Sequence, residues 1–106
     1  MARTLITMPA SAARGAVVEI RTLIAHPMET GFRAAEDGRV PPRDIVHRFR
    51  CHYNGELVVD AELFSAVSAN PYFAFSIVAT DSGSLSFAWE GDNGFAQTET
   101  RPFTVA

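Results

Sequence analysis

The stretch AHPMETGFR, residues 25–33, places an imidazole, a thioether and a carboxylate close together, at His26, Met28 and Glu29. Copper(I) accepts imidazole and thioether ligands, so His26 and Met28 raise the hypothesis of a copper-handling site. Further ligands would have to come from His47, His52 or Met8. Because no recognised metal-binding spacing joins these residues, the sequence predicts neither a metal site nor another cofactor site.

Cys51 is the only cysteine, and His47 and His52 lie beside it in the sequence as candidate bases for a nucleophilic thiol. Strand alternation, however, places Cys51 on the same face as Phe49 and Tyr53, which favours a buried and inert thiol. A single cysteine also excludes an internal disulfide and a cysteine-based zinc site. No catalytic residue is predicted.

All nine basic residues are arginines, and the formal net charge of −3 argues against a nucleic-acid partner. Five of the arginines fall within segment 33–50: Arg33, Arg39, Arg43, Arg48 and Arg50. A planar guanidinium suits carboxylates and oxyanions well, so this segment is either a functional basic patch or the result of an arginine-rich composition. Both interpretations remain open at this point.

No apolar run approaches the roughly 18 residues of a membrane-spanning helix, so no membrane association is expected. The residues before Pro9 hold too short an apolar stretch for a secretory signal. Composition alone therefore predicts a cytoplasmic protein.

The elements that position these side chains are β-strands, because apolar residues alternate along most of the chain. In residues 44–53 the predicted inward residues are Ile45, Phe49, Cys51 and Tyr53, and the outward ones are Val46, Arg48, Arg50 and His52. In residues 56–63 the predicted inward residues are Leu57, Val59, Ala61 and Leu63. Asn54-Gly55 between these runs indicates a tight hairpin, since both residues accept positive φ.

The second half repeats this alternation. The predicted inward residues are Phe73, Phe75, Ile77, Ala79, Leu85, Phe87 and Trp89. Turns are expected at residues 81–83 and 91–94, one helical turn near residues 64–70, and an edge strand at Pro102. With strands near residues 3–8 and 16–26, the count is about seven. The sequence therefore predicts one domain over residues 1–106, an all-β, antiparallel β-sandwich of immunoglobulin-like type. The long connection from His26 to Arg43 is either functional or a crossover.

Three segments carry a resemblance to a known family: VVEIRTLIAHPMETGFR, PPRDIVHRFRCHYNGE and NPYFAFSIVATDSGSLSFAWEGDNGF. Over about residues 16–96, the chain resembles the SoxZ subunit of the SoxYZ sulfur-carrier complex of thiosulfate oxidation. The resemblance implies an immunoglobulin-like domain that is not an enzyme. It also implies pairing with a SoxY-like carrier subunit, whose cysteine-bearing arm holds the sulfur, and transient contacts with Sox enzymes.

The resemblance further implies a periplasmic location, with export together with the partner, and this replaces the cytoplasmic expectation. Homo-association is expected where the partner is absent, since exposed strand edges must be paired or covered. The predicted partner-recognition loop comprises His26, Pro27, Met28, Glu29, Thr30, Gly31 and Phe32. A second predicted interface segment is the turn Asp92, Asn93, Gly94 and Phe95. The alternative is a domain that itself binds sulfur or an oxyanion through Cys51 or segment 33–50.

Overall fold

A computed structural model describes residues 2–34 and 36–106, which form two β-sheets packed face to face. The strands are β1 Thr4–Thr7, β2 Ser11–Ala12, β3 Val17–Ile24, β4 Val46–Tyr53, β5 Glu56–Glu62, β6 Tyr72–Val78, β7 Gly83–Gly91 and β8 Ala96–Val105. A 3-10 turn, Asp92–Gly94, links β7 to β8. The predicted β-sandwich is confirmed, with eight strands instead of about seven because Ser11–Ala12 adds a short one.

One sheet has three strands in the order β1-β3-β6, and the other has five in the order β2-β8-β7-β4-β5. Neighbouring strands are antiparallel except β2 and β8, which pair in parallel through Ser11 with Thr104 and Ala12 with Val105. Apart from these two residues, the outer edge of β8 pairs with no other strand of the described chain. The edge position predicted from Pro102 is therefore confirmed for most of β8.

The core lies between the sheets and is rich in aromatic side chains. Its largest fully buried members are Trp89, Phe49, Phe87, Phe103 and Ile20. The face predictions for β6 and β7 are confirmed, because Phe73, Phe75, Ile77, Leu85, Phe87 and Trp89 all pack in or against this core. Phe49 stacks on Phe73 at a ring distance of 4.9 Å and thereby joins the two sheets.

Two side chains lie on the opposite face from the one predicted. Val46 was expected outward but is fully buried, because the pairing of β4 with β7 shifts register between Val46 and Arg48. Leu57 was expected inward but is 48% exposed. The pairing of β4 with β5 shifts between Cys51 and His52, which sets Leu57 opposite the outward His52. Each shift adds one residue and so reverses the local alternation.

The connections follow the turn signals of the sequence. Asn54 and Gly55 have φ values of 49° and 82° and close the predicted β4–β5 hairpin. The connection from His26 to Arg43 crosses from the three-stranded to the five-stranded sheet, as expected for a crossover. Near residues 64–70 the chain makes a turn, in which the Val67 N–H donates to the Phe64 carbonyl at 3.0 Å. Across residues 2–34 and 36–106, no helix has the length and apolar character needed to cross a bilayer.

Candidate functional site

The motif His26-Pro27-Met28 builds the base of the crossover loop. Imidazole Nδ1 of His26 accepts a hydrogen bond from the Met28 backbone N–H at 3.0 Å. This bond holds Met28 at φ 53°, a left-handed conformation that non-glycine residues seldom adopt. The backbone N–H of His26 donates to the Asn70 side-chain oxygen at 2.9 Å, which ties the loop to the start of β6. The chemistry-bearing residues of this motif therefore fix a turn.

Met28 and His26 both lie inside the protein. Met28 is 4% exposed, and its sulfur accepts a hydrogen bond from the Val46 N–H at 3.2 Å. His26 is 6% exposed, and its ring packs edge-on against Phe95 at 5.0 Å. Since Nδ1 and the thioether each bind a backbone N–H, these two atoms are already engaged as acceptors. In the described part of the chain, no three His, Cys, Asp or Glu side chains are grouped as a metal site requires.

Asp92 joins the second predicted segment to the end of the crossover loop. Its carboxylate accepts two hydrogen bonds from the Arg43 guanidinium, both at 2.8 Å, and a third from the Ile45 backbone N–H at 3.1 Å. The Arg43 hydrogen bond has the largest effect on the pKa of Asp92. Together with the weaker contribution of the Ile45 N–H it holds this pKa below its usual value, although burial opposes the shift. The structure thus brings the two predicted segments together at one end of the sandwich.

The exposed part of this end is aromatic. Phe32 is 84% exposed and Phe64 is 64% exposed. Their loops are joined by a hydrogen bond from the Ser65 hydroxyl to the Thr30 carbonyl at 3.1 Å. Residues Thr30, Gly31, Phe32, Phe64 and Ser65 together form what we call the loop-end surface.

The loop-end surface contains three of the seven residues of the predicted recognition loop. Thr30, Gly31 and Phe32 belong to it, whereas His26 and Met28 support it from within. Phe64 was not predicted. The sequence held a signal, because Leu63-Phe64 sets two large apolar residues in succession and a strand cannot bury both on one face. The recognition role of these residues, and of Asn93 and Gly94 in the neighbouring turn, remains a prediction.

The arginines of segment 33–50 do not form one free cationic patch. Each of the five lies within 4.0 Å of a carboxylate: the pairs are Arg33–Glu29, Arg39–Asp37, Arg43–Asp92, Arg48–Asp60 and Arg50–Glu90. Arg48 and Arg50 lie on the outer face of β4, while Arg33 and Arg39 lie in the crossover loop. An oxyanion would have to compete with these internal carboxylates, so the geometry does not favour an oxyanion site.

Cys51 is fully buried on the inner face of β4. Burial raises the pKa of its thiol to about 12, so the thiolate that would attack a sulfur species is scarce at neutral pH. The predicted inward orientation is confirmed. A surface sulfur site at Cys51, as the alternative requires, does not fit this position.

We expect Cys51 in the native protein to resist a bulky thiol reagent such as dithionitrobenzoate. Its sulfur is buried in the folded chain, and the reactive thiolate form is scarce at neutral pH. In denaturing urea the thiol should react at the rate of a free cysteine, with one equivalent released per chain. The absorbance of released thionitrobenzoate measures both rates. Full reaction of the folded protein within minutes would contradict the buried assignment.

The chain is similar to known proteins in sequence family and in fold. The family model described as "Sulphur oxidation protein SoxZ" matches residues 6–102. No curated protein matches the sequence. The sulfur carrier protein SoxY from Chlorobium limicola f thiosulfatophilum has a similar structure, with a TM-score of 0.68 and 12% identity over 97% of this chain and 78% of that one. A superoxide reductase (neelaredoxin) from Ignicoccus hospitalis is also similar, with a TM-score of 0.74 and 12% identity over 99% of this chain and 82% of that one.

At such low identity the two structures show a shared β-sandwich fold and nothing further. The family model, in contrast, spans almost the whole chain, including the His26–Phe32 loop and the Asp92–Phe95 turn. It also agrees with the resemblance seen in the sequence. The chain belongs to the SoxZ family of sulfur oxidation proteins.

Proposed function

We propose that this chain acts as the non-catalytic subunit of a SoxYZ-type sulfur carrier complex. It pairs with a SoxY-like carrier subunit and helps present the sulfur-bearing arm of that subunit to Sox enzymes. The observation that carries the proposal is the SoxZ family match over residues 6–102.

The positions of the reactive groups support a role in binding other proteins. The thiol of Cys51, the imidazole of His26 and the thioether of Met28 all lie inside the fold. At the end of the molecule that holds His26 and Met28, the side chains of Phe32 and Phe64 are largely exposed. Exposed aromatic side chains are enriched among the residues that dominate protein interfaces. The loop-end surface is therefore proposed as a recognition surface for the partner or for Sox enzymes.

A periplasmic location is part of the same proposal. Sox carrier complexes work in the periplasm, and the chain would reach it together with its partner. The burial of Cys51 suits an oxidising compartment, because an unpaired thiol on the surface would be prone to disulfide exchange there.

We expect this chain and the SoxY subunit of the same organism to co-elute as one complex when they are co-expressed. Size-exclusion chromatography with light scattering gives the mass of the eluting species. Two separate peaks, each with the mass of a single subunit, would overturn the proposed function. A parallel run of this chain alone shows whether it self-associates without its partner.

A further inference from the structure

The two sheets of the sandwich are offset by one strand. The Thr4 hydroxyl of β1 donates to the Glu99 carboxylate of β8 at 2.9 Å, so β1 lies against β8. Phe49 of β4 stacks on Phe73 of β6, so β6 lies against β4. Between these two contacts β3 lies against β7. Strand β5 pairs with β4 on the far side from β7. It therefore extends beyond β6, and no strand of residues 2–34 and 36–106 lies opposite it.

The space beside β6 and opposite β5 is lined by apolar side chains, and it is called the β6 lane. Val59 and Ala61 face it from β5, because they pair with the inward Cys51 and Phe49. Phe73 and Phe75 face it from β6. All four are partly exposed, whereas the inward residues of the central strand β3, such as Ile20, are buried. Apolar side chains that face inward but stay partly exposed to water indicate a surface that another segment can cover.

The open edge of β6 presents unpaired backbone groups. The Ala79 N–H donates to the Ala16 carbonyl at 2.9 Å, and the Ala79 carbonyl accepts from the Gly15 N–H at 2.8 Å. Residue 79 therefore directs both groups toward β3, and so do the other odd-numbered residues, since the register is continuous along the strand. The residues that direct both groups to the open side are Tyr72, Ala74, Ser76 and Val78.

The other edge strands carry features that discourage strand addition, and β6 does not. Strand β5 has a register shift and the acidic residues Glu56, Asp60 and Glu62. Strand β8 has Pro102 on its open side, and β1 and β2 span only four and two residues. Strand β6, YFAFSIV, is seven residues long and has no charge, no proline and no register shift. An edge of this kind is a template for another strand.

A second copy of this chain does not fit the β6 lane through its own β6. Two identical edge strands related by a two-fold axis pair in antiparallel orientation. The five-stranded sheets of both copies then lie on the same side of the joined three-stranded sheets. The second copy would then bring its β4, stacked on its own β6, into the position of β5. A single extended segment avoids this conflict, because it brings no second sheet with it. Its inward side chains would pack on β5 instead.

We propose that the β6 lane binds an extended segment of the SoxY-like carrier subunit by β-strand addition. The segment would turn alternate apolar side chains toward Phe73, Phe75 and Val59. Glu56 lies at the hairpin end of the lane and forms no ion pair with the described residues, so a basic residue at that end would complement it. This inference rests on the proposed pairing with the carrier subunit and assigns the surface that performs it.

Ser76→Pro tests the proposal, because it removes an N–H that makes no hydrogen bond with the described residues and places a ring on the open edge. We expect the dissociation constant of the complex with the co-organism SoxY subunit to rise at least about tenfold. Thr98→Pro is the matched control. Thr98 is exposed on β8, and the bonds from Thr104 to Ala10 and from Ala106 to Ala12 place its N–H on the open edge too. Isothermal titration calorimetry measures both variants, and circular dichroism checks their folding.

Hydrogen exchange tests the same inference without a substitution. In the complex, the amides of Ala74 and Ser76 should exchange at least about tenfold more slowly than in the free chain, while the Thr98 amide should not change. Unaltered affinity of a folded Ser76→Pro variant, or unaltered exchange at residues 74 and 76, would overturn the proposal while leaving the co-eluting complex intact. Loss of self-association alone in Ser76→Pro would favour a second copy and overturn it. Failure of the wild-type subunits to bind would overturn the proposed function itself.

Discussion

Phe49→Ala is expected to lower the free energy of unfolding by about 3–5 kcal/mol, the range found when a large buried aromatic side chain is truncated. The ring of Phe49 is fully buried and meets aromatic rings of both sheets: Phe73 at 4.9 Å, Trp89 at 5.2 Å and Phe75 at 6.2 Å. Truncation would leave a cavity at the contact that joins β4 to β6. Because small domains have only about 5–15 kcal/mol of stability, much of the protein would unfold at moderate urea concentrations.

Phe32→Ala is the matched control for this prediction. It deletes the same ring from a side chain that is 84% exposed, so the free energy of unfolding should change by no more than about 0.5 kcal/mol. Urea titration followed by the fluorescence of Trp89, the single tryptophan, reports both variants. A loss below about 1 kcal/mol for Phe49→Ala would contradict the close packing between the sheets.

The alternation of apolar residues predicted most of the fold because it records burial directly. In β6 and β7 the inward residues follow the period of two, and Asn54-Gly55 marks the hairpin through its backbone preference alone. Val46 and Leu57 were assigned to the wrong faces because register shifts in β4 depend on how its neighbours pair. Such shifts leave no mark in the alternation of one strand.

The candidate site was predictable in position but not in composition. HPMETGF and GDNGF stood out as segments, and the structure brings them together through the contact between the His26 and Phe95 rings. The burial of Met28 was not predictable, because the Val46 N–H that donates to its sulfur lies 18 residues away in the sequence. The β6 lane depends on an offset between two sheets. Its nearest sequence signal is the absence of charge and proline in YFAFSIV, which acquires meaning only once β6 is known to be an edge.

The ionised carboxylate of Asp92 ties the second predicted segment to the end of the crossover loop, and Asp92→Asn should show this through the pH dependence of stability. Its carboxylate is 18% exposed and accepts from both Arg43 and the Ile45 N–H. Asparagine keeps the shape but removes the charge and offers a single acceptor oxygen. We expect the variant to lose about 1.5–3 kcal/mol at pH 7, the range of hydrogen bonds to charged groups.

The sign of the pH effect follows from the lowered pKa of Asp92 in the folded chain. A carboxyl group with a folded pKa below its ordinary value of 3.8 stabilises the fold above that value. This contribution is lost as the pH falls through the folded pKa. The stability difference between wild type and Asp92→Asn should therefore be constant near neutral pH and shrink below about pH 4.

Asp37→Asn is the control, because Asp37 also faces an arginine and accepts a backbone N–H, both from Arg39, yet it is 60% exposed and its partner 87%. Its effect should stay within about 0.5 kcal/mol at every pH, as for other exposed ion pairs. Urea titrations at several pH values between 3 and 7 measure both variants. Equal losses for the two would mean that the Arg43–Asp92–Ile45 contact adds nothing beyond an exposed ion pair. A loss confined to Asp92→Asn, and shrinking in acid, would show that an ionised carboxylate holds the end of the crossover loop against the β7–β8 turn.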